Sequence, residues 1–406
     1  MCKFPDKRTQ NDAHINSTER EGEAAKRNVP ALRFPEFTDK WKRIKVSNLL
    51  DFYSTNSLSW DQLEYETQNI SNLHYGLIHV GLPTMVDLAK DKLPNIKAGN
   101  VPKNYELCKE GDIAFADASE DTNEVAKAIE FYNLNGKEVI CGLHTIHGRD
   151  NTNSTVVGFK GYAFSSTAFH HQIRRIAQGT KIYSISTKNF SECYIGIPSK
   201  AEQLKISSLL RYIDERIATQ NKIIEKLETL IKGITNQLLI PNSNWRSTTI
   251  GQVLTINSGR DYKHLKEGDI PVYGTGGYML SVNDYLYDGE SVCIGRKGTI
   301  NKPIYLTGKF WTVDTLFYTS NYNSLIPRFC YYLFQTIDWQ KYNEASGVPS
   351  LSKVSIEKIH IMLPSLEMQK RICYLLDSIC NKLTLEQSTL SNYYAQKAYL
   401  LQSMFI

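Results

Sequence analysis

The sequence predicts an α+β protein built twice over. Two units of mixed sheet plus short helices are joined and separated by two long antiparallel coiled-coil helices, with pseudo-twofold internal symmetry. Three observations predict it. The second half of the chain repeats the first, and each copy runs into a long helical stretch with a heptad seam. The length of 406 residues also exceeds what one hydrophobic core usually serves.

The repeat starts at two tryptophans. Trp41-Lys-Arg-Ile-Lys-Val46-Ser-Asn-Leu49-Leu50 runs parallel to Trp245-Arg-Ser-Thr-Thr-Ile250-Gly-Gln-Val253-Leu254. Further on, Gly179 to Pro198 parallels Gly347 to Pro364, and Ser184-Ile185-Ser186 matches Ser350-Leu351-Ser352. Beyond each proline the spacing settles at 166 residues, pairing Gln203 with Gln369, Ile206 with Ile372 and Ile213 with Ile379. Self-similarity at a fixed period marks a repeated structural unit.

The helices follow from their seams. Alternating steps of four and three land on Ile206, Leu210, Ile213, Ile217, Gln220, Ile224, Leu227, Ile231, Ile234 and Leu238. That is coiled-coil periodicity. The second copy reads Ile372, Leu376, Ile379, Leu383, Glu386, Leu390, Tyr393, Lys397, Leu400 and Met404, with a degraded C-terminal half. Ser199 with Glu202 predicts a capping box, and Pro241 stops the first helix; Ser365 caps the second, where Met368 replaces the reciprocal Glu. Helices of nearly forty residues are about 55–60 Å long, and matched seams predict antiparallel pairing. Gln220 and Glu386 are repeat equivalents near mid-helix and are expected to hydrogen-bond and fix the register. Gly233 weakens its helix by about 1 kcal/mol relative to Ala; beside the seam, it suggests close packing.

Within the globular units, short strands alternate with turns. Ile270 to Tyr273 runs into Gly274-Thr-Gly-Gly277, and Ser291 to Ile294 enters Gly295-Arg296-Lys297-Gly298, from which Ile300 to Leu306 returns. This second hairpin offers two cations between glycines, a combination that suits a phosphate backbone. The corresponding stretch of the first unit, Gly111 to Ala116 and then Asp117-Ala-Ser-Glu-Asp121, keeps the strand and loses the cations. The contact candidates are therefore Arg149, Lys181 and Tyr183 in the first unit, and Arg260, Tyr273, Arg296 and Lys297 in the second. Arg can be bidentate to guanine, and Tyr can serve phosphate or stack.

The domain boundaries follow: a disordered tail at 1–28, polar and poor in large apolar side chains, a first unit at 29–200 and a first long helix at 201–244. A second unit at 245–364 and a second long helix at 365–406 complete the chain. The net charge is +5 and no segment is a basic arm, so any DNA contact uses a local patch. Eight cysteines without a CxxC pair read as reduced thiols in a cytoplasmic protein. No apolar run is long enough to span a bilayer, and the N-terminus has no signal-peptide stretch. Cys141, His144 and His147 are spaced by three; on one strand such steps alternate faces, so no shared metal is expected.

Taken together, the Trp-led start, Gly268-Asp269-Ile270-Pro-Val-Tyr273, Gly295-Arg-Lys-Gly298-Thr and the Pro198/Gln203 and Pro364/Gln369 helix starts resemble the specificity subunits of type I restriction–modification enzymes. The opening Asn28-Val-Pro-Ala-Leu-Arg-Phe-Pro-Glu-Phe37 is similar to the lead-in of Gram-positive members. The resemblance covers residues 29–406. It implies two target-recognition domains, each reading one half of an interrupted double-stranded DNA sequence, with the helices setting the gap. It further implies docking of two methyltransferase subunits and two endonuclease–translocase subunits. S-adenosylmethionine, ATP and Mg2+ belong to those partners, and this chain itself holds no cofactor and catalyses nothing. Two alternatives stand beside it. A stand-alone DNA-modifying enzyme lacks support here, because the chain has no Asn/Asp-Pro-Pro-aromatic motif and no GK[ST] phosphate loop. A coiled-coil scaffold without DNA binding explains the helices but not the duplicated units.

Overall fold

The computed structural model describes residues 28–406, so the expected tail lies almost wholly outside the described residues. The chain divides into two compact units, Met1–Thr219 with Leu390–Ile406, and Gln220–Thr389. The division thus falls inside the two long helices, α1 (Lys200–Leu238) and α2 (Leu366–Ser403), rather than at their ends. Each unit owns a sheet region and one part of each helix.

In the first unit, a five-stranded mixed sheet runs in the order Asp51–Tyr53, Thr145–Arg149, Ile113–Ala116, Ala128–Asn133, Met85–Asp87. A four-stranded sheet orders Val139–Cys141, Ser71–Leu73, Asn95–Ile96, Leu63–Glu64. A two-stranded ladder pairs Lys42–Lys45 with Tyr194–Ile197, immediately before α1. In the second unit the same ladder recurs as Arg246–Thr249 with His360–Leu363, just before α2. A four-stranded sheet orders Thr255–Ser258, Leu316–Ser320, Ser291–Gly295, Ile304–Leu306. Its first three strands repeat the antiparallel run Asp51–Tyr53, Thr145–Arg149, Ile113–Ala116. A further sheet orders Gly277–Val282, Glu267–Gly274, Lys309–Thr312, Tyr287–Asp288.

The repeated glutamines show why this duplication is more than a pattern. Gln203 Oε1 accepts the Val156 N–H, and its Nε2 donates to the carbonyls of Ser154 and Pro198. Gln369 does the same with the Ile326 N–H and the carbonyls of Ser324 and Pro364. Both side chains are fully buried. A buried amide with every partner supplied ties each unit to its own helix start, and an apolar replacement would orphan three backbone groups.

The capping box is half realised. Ser199 Oγ accepts the Glu202 N–H at 3.3 Å, and Ser365 does so for Met368. The Glu202 carboxylate instead turns away to Arg33, at 2.7 and 2.8 Å, and to the Trp41 indole. Met368 therefore marks a real difference between the copies: only the first helix start receives the lead-in. That lead-in also reaches α2, where the Leu32 N–H donates to the Ser403 carbonyl.

In the first unit, Ile206, Leu210, Ile213 and Ile217 join one core with Leu400, Met404 and Phe405. Asp214 meets Lys397 at 2.6 Å, and Arg216 meets the Tyr393 hydroxyl, so the helix halves run antiparallel. The seam lysine is thus satisfied: Asp214 also accepts from the Tyr162 hydroxyl, over whose ring Lys397 sits. In the second unit, Gln220 Nε2 donates to the Glu386 carboxylate and to its carbonyl, as expected for a register-fixing pair. Ile234 and Leu238 there share a core with Ile372 and Leu376.

Gly233 is not a close-packing site. It is exposed, and a Cβ added there meets nothing within 4 Å. Gly233→Ala is therefore expected to stabilise the helix by about 1 kcal/mol. A rise in the melting temperature of the second unit by scanning calorimetry checks this; a fall would mean that the glycine is used by something docked on α1.

Candidate nucleic-acid interface

The four second-unit candidates come together along one short connection, Thr312 to Thr315. The Arg260 N–H donates to the Thr312 carbonyl, the Val313 N–H to the Tyr273 carbonyl, and the Arg296 N–H to the Thr315 carbonyl. Trp311 Nε1 donates to the Arg260 carbonyl at 2.8 Å. Nothing in the sequence placed these four residues side by side; the strand order did. Arg260, Arg296 and Lys297 are exposed and Tyr273 is half-buried. Burial pushes the Tyr273 hydroxyl above its ordinary value, so it remains a donor. Arg296, Lys297, Asp314, Thr315, Val348 and Ser350 line an open groove of about 580 Å3.

The expected hairpin is present, Ser291–Gly295 pairing with Ile304–Leu306. Gly295 is demanded by its closing loop, because a Cβ there would lie 2.1 Å from the Thr299 carbonyl oxygen. Lys297 bridges to Ser350, and the Leu351 N–H donates to the Arg296 carbonyl, which fixes the cation pair against the Gly347–Leu351 segment.

The first unit builds the same junction from unlike residues. Ala118–Ser119 pairs with Tyr183–Ser184, and the Ile185 N–H donates to the Asp117 carbonyl. The acidic loop therefore stands beside Lys181 and Tyr183, at the position that Arg296 and Lys297 hold in the second unit. Gly179, at φ +138°, makes the tight turn that presents them; a Cβ there would meet the Ile182 carbonyl oxygen at 1.9 Å. Lys181 is exposed and Tyr183 half-buried. The fold makes Asp117 the counterpart of Arg296, since the Ile185 N–H donates to the Asp117 carbonyl as the Leu351 N–H does to that of Arg296, and it sets Lys181 and Tyr183 on the segment opposite.

Arg149 belongs elsewhere, and the expectation that it contacts DNA is corrected. It is 7% exposed, with Nε and Nη2 on the Asp112 carboxylate, Nη1 on Glu106 and Nη2 also on the Leu107 carbonyl. Its face lies on the Tyr53 ring at 4.4 Å. The hydrogen bonds it donates to Asp112 hold its guanidinium charged. Burial pushes the Asp112 carboxyl up, but hydrogen bonds from His147 and Arg149 outweigh it, and the net shift is downward. Four of its five N–H donors are committed, so it has no pair left for the bidentate contact a guanine takes.

A repeated mixed-sheet unit feeding a long helix through one buried glutamine, with divergent loops at one matching junction, defines a protein built from two copies of one module. The family model for the type I restriction modification DNA specificity domain matches residues 91–229 and again 242–392, and the chain belongs to that family. A putative type I specificity subunit of Mycoplasma pneumoniae is 29% identical over 157 residues, 35% of this chain and 51% of that protein. A putative type I restriction enzyme specificity subunit of Haemophilus influenzae is 27% identical over 116 residues, 28% of this chain and 30% of its own length. The matched segments thus span about half of the first relative and under a third of the second. The crystal structure of the S subunit from M. genitalium aligns at a TM-score of 0.61 and 18% identity, over 93% of this chain and 99% of that one. A chain from a study of complex assembly and conformational transition of the type I R-M system aligns at 0.59 and 14%, over 90% and 97%. At these identities the likeness concerns the fold. Among the described residues, no helix is long and apolar enough to cross a membrane.

Proposed function

We propose that this chain is the noncatalytic sequence reader of a type I restriction–modification complex, each unit reading one half of a bipartite double-stranded DNA target. The observation that carries the reading is the junction: one frame, built twice, holding Arg296 and Lys297 in one copy and Lys181 and Tyr183 beside an acidic loop in the other. Two readers of different half-sites need a shared frame and unlike contacts. The long helices set the unread gap and dock the partners, two methyltransferase and two endonuclease–translocase subunits. Exposed Tyr212, Tyr374 and Tyr399 along α1 and α2 support docking, since tyrosine is enriched at protein interfaces. S-adenosylmethionine, ATP and Mg2+ act in those partners, in the cytoplasm.

The test is a domain exchange. Replacing residues 41–200 with the corresponding segment of another family member should change one half of the methylated motif and leave the other intact, read by genome-wide adenine methylation. A change in both halves, or in neither, would overturn the modular reading. Methyl transfer by the purified chain alone would overturn the noncatalytic one.

A further inference from the structure

We infer that the first unit holds a structural zinc ion on Cys108, Cys141 and His147, with Asp112 orienting the histidine. The three side chains come from three places. Cys141 ends the strand Val139–Cys141, His147 lies mid-strand in Thr145–Arg149, and Cys108 sits on a segment bridged to the first of these through Leu107 and Ile140. Their donor atoms all lie within 4.8 Å of one another, and all three residues are buried. The sulfurs are 3.6 Å apart. For zinc–sulfur bonds of about 2.3 Å, the S···S edge of a tetrahedron is about 3.8 Å. A disulfide needs about 2.05 Å.

The histidine supplies the independent observation. His147 is fully buried, and its Nε2 lies 2.8 Å from Asp112 Oδ2. Its Nδ1 is buried with no hydrogen-bond partner. An orphaned ring nitrogen in a protein interior calls for an explanation. With Nε2–H donated to the carboxylate, the imidazole is in the tautomer whose Nδ1 lone pair is free, and a carboxylate behind a histidine is the usual support of a zinc ligand. Charge closes as well. Two thiolates neutralise a zinc dication, while Arg149 neutralises Asp112, so no bare charge is left in the interior. A borderline-soft Cys2His donor set selects zinc over the hard, oxygen-seeking cations.

The alternation argument applied to Cys141, His144 and His147 does not operate here, because the residues do not share a strand. His144 sits in the intervening turn at φ +54° and points to Asp117 instead. Cys108, far off in sequence, takes its place. The ion would pin the 105–112 segment to both sheets of the first unit.

Metal analysis of the purified full-length chain, alone and with its partner subunits under reducing conditions, should find a single equivalent of zinc that survives exhaustive dialysis. Exchange for cobalt(II) should give the intense visible bands of tetrahedral coordination and a near-ultraviolet thiolate charge-transfer band. Cys108→Ala and Cys141→Ala should each lose both, whereas Cys193→Ala, a buried thiol of the same unit outside the cluster, should keep them. If the site variants do not fold, the cobalt spectrum of the unaltered chain still decides. A chain without zinc and without cobalt bands, a Cys108–Cys141 disulfide found by mass spectrometry, or full binding by either site variant would overturn the assignment.

Discussion

Lys160→Met should cost the first unit about 3–5 kcal/mol at neutral pH, the scale of removing one partner from a buried ion pair. Lys160 Nζ lies 3.1 Å from Glu130 Oε1, and both side chains are buried, Glu130 completely. Glu130 in turn accepts the Gly158 and Gly161 amides, which bind a short helix, Lys160–Phe164, onto the sheet. Burial pushes the Glu130 carboxyl above its ordinary 4.5, with Lys160 and the two amides offsetting part of the shift. A raised carboxyl contributes stability that is complete below its unfolded value and is lost as pH rises through the folded one. Removing Lys160 raises it further, so the deficit should shrink as pH falls toward the ordinary carboxylate range. Amide exchange at Gly158 and Gly161 reads this locally, without assuming that the whole chain unfolds in one step. Glu130→Gln in the Lys160→Met background should recover part of the loss, because the neutral amide keeps one acceptor without a charge. Unchanged exchange in the single variant would show that the pair contributes nothing.

That pair was invisible in the sequence, and the reason is general. What could be read was whatever repeats or keeps a period: the duplicated units, the seam, and Gln220 opposite Glu386, since a helix converts spacing directly into direction. Gln203 and Gln369 were visible as repeat equivalents, though not as buried amides with identical partners. What could not be read depends on which strands become neighbours. Arg149 looked like a surface cation because strand order, not local sequence, places Asp112 and Glu106 around it. Arg260, Tyr273, Arg296 and Lys297 are scattered over nearly forty positions, and the Thr312–Thr315 connection that gathers them carries no motif. Cys108 was missed beside Cys141 for the same reason. Gly233 was misjudged in the opposite sense: a position one step from the seam can face solvent.

Removing the cation pair is the sharpest test of where DNA lies on the second unit. Arg296→Ala with Lys297→Ala should weaken target binding of the assembled complex by about 2–4 kcal/mol, roughly 30- to 1000-fold. The two residues should fail differently. Arg296 is loosely held, its Nη1 only 3.4 Å from the Asp314 carbonyl and its guanidinium 6.0 Å from the Phe317 ring centre, so its fork is available to a base edge. Arg296→Lys keeps the charge and loses the fork, and should relax discrimination at one position of one half-site while leaving the salt dependence unchanged. Lys297→Ala should instead weaken all sequences alike and lower the slope of log affinity against log salt by about one unit. The proposed bipartite reading adds a constraint that a general loss of folding cannot imitate: the half-site assigned to the first unit should keep its specificity in every one of these variants. Lys181→Ala with Tyr183→Phe should then move the complementary half alone. If the Arg296 and Lys297 changes left affinity and salt slope untouched, the groove they line would not be where the duplex runs.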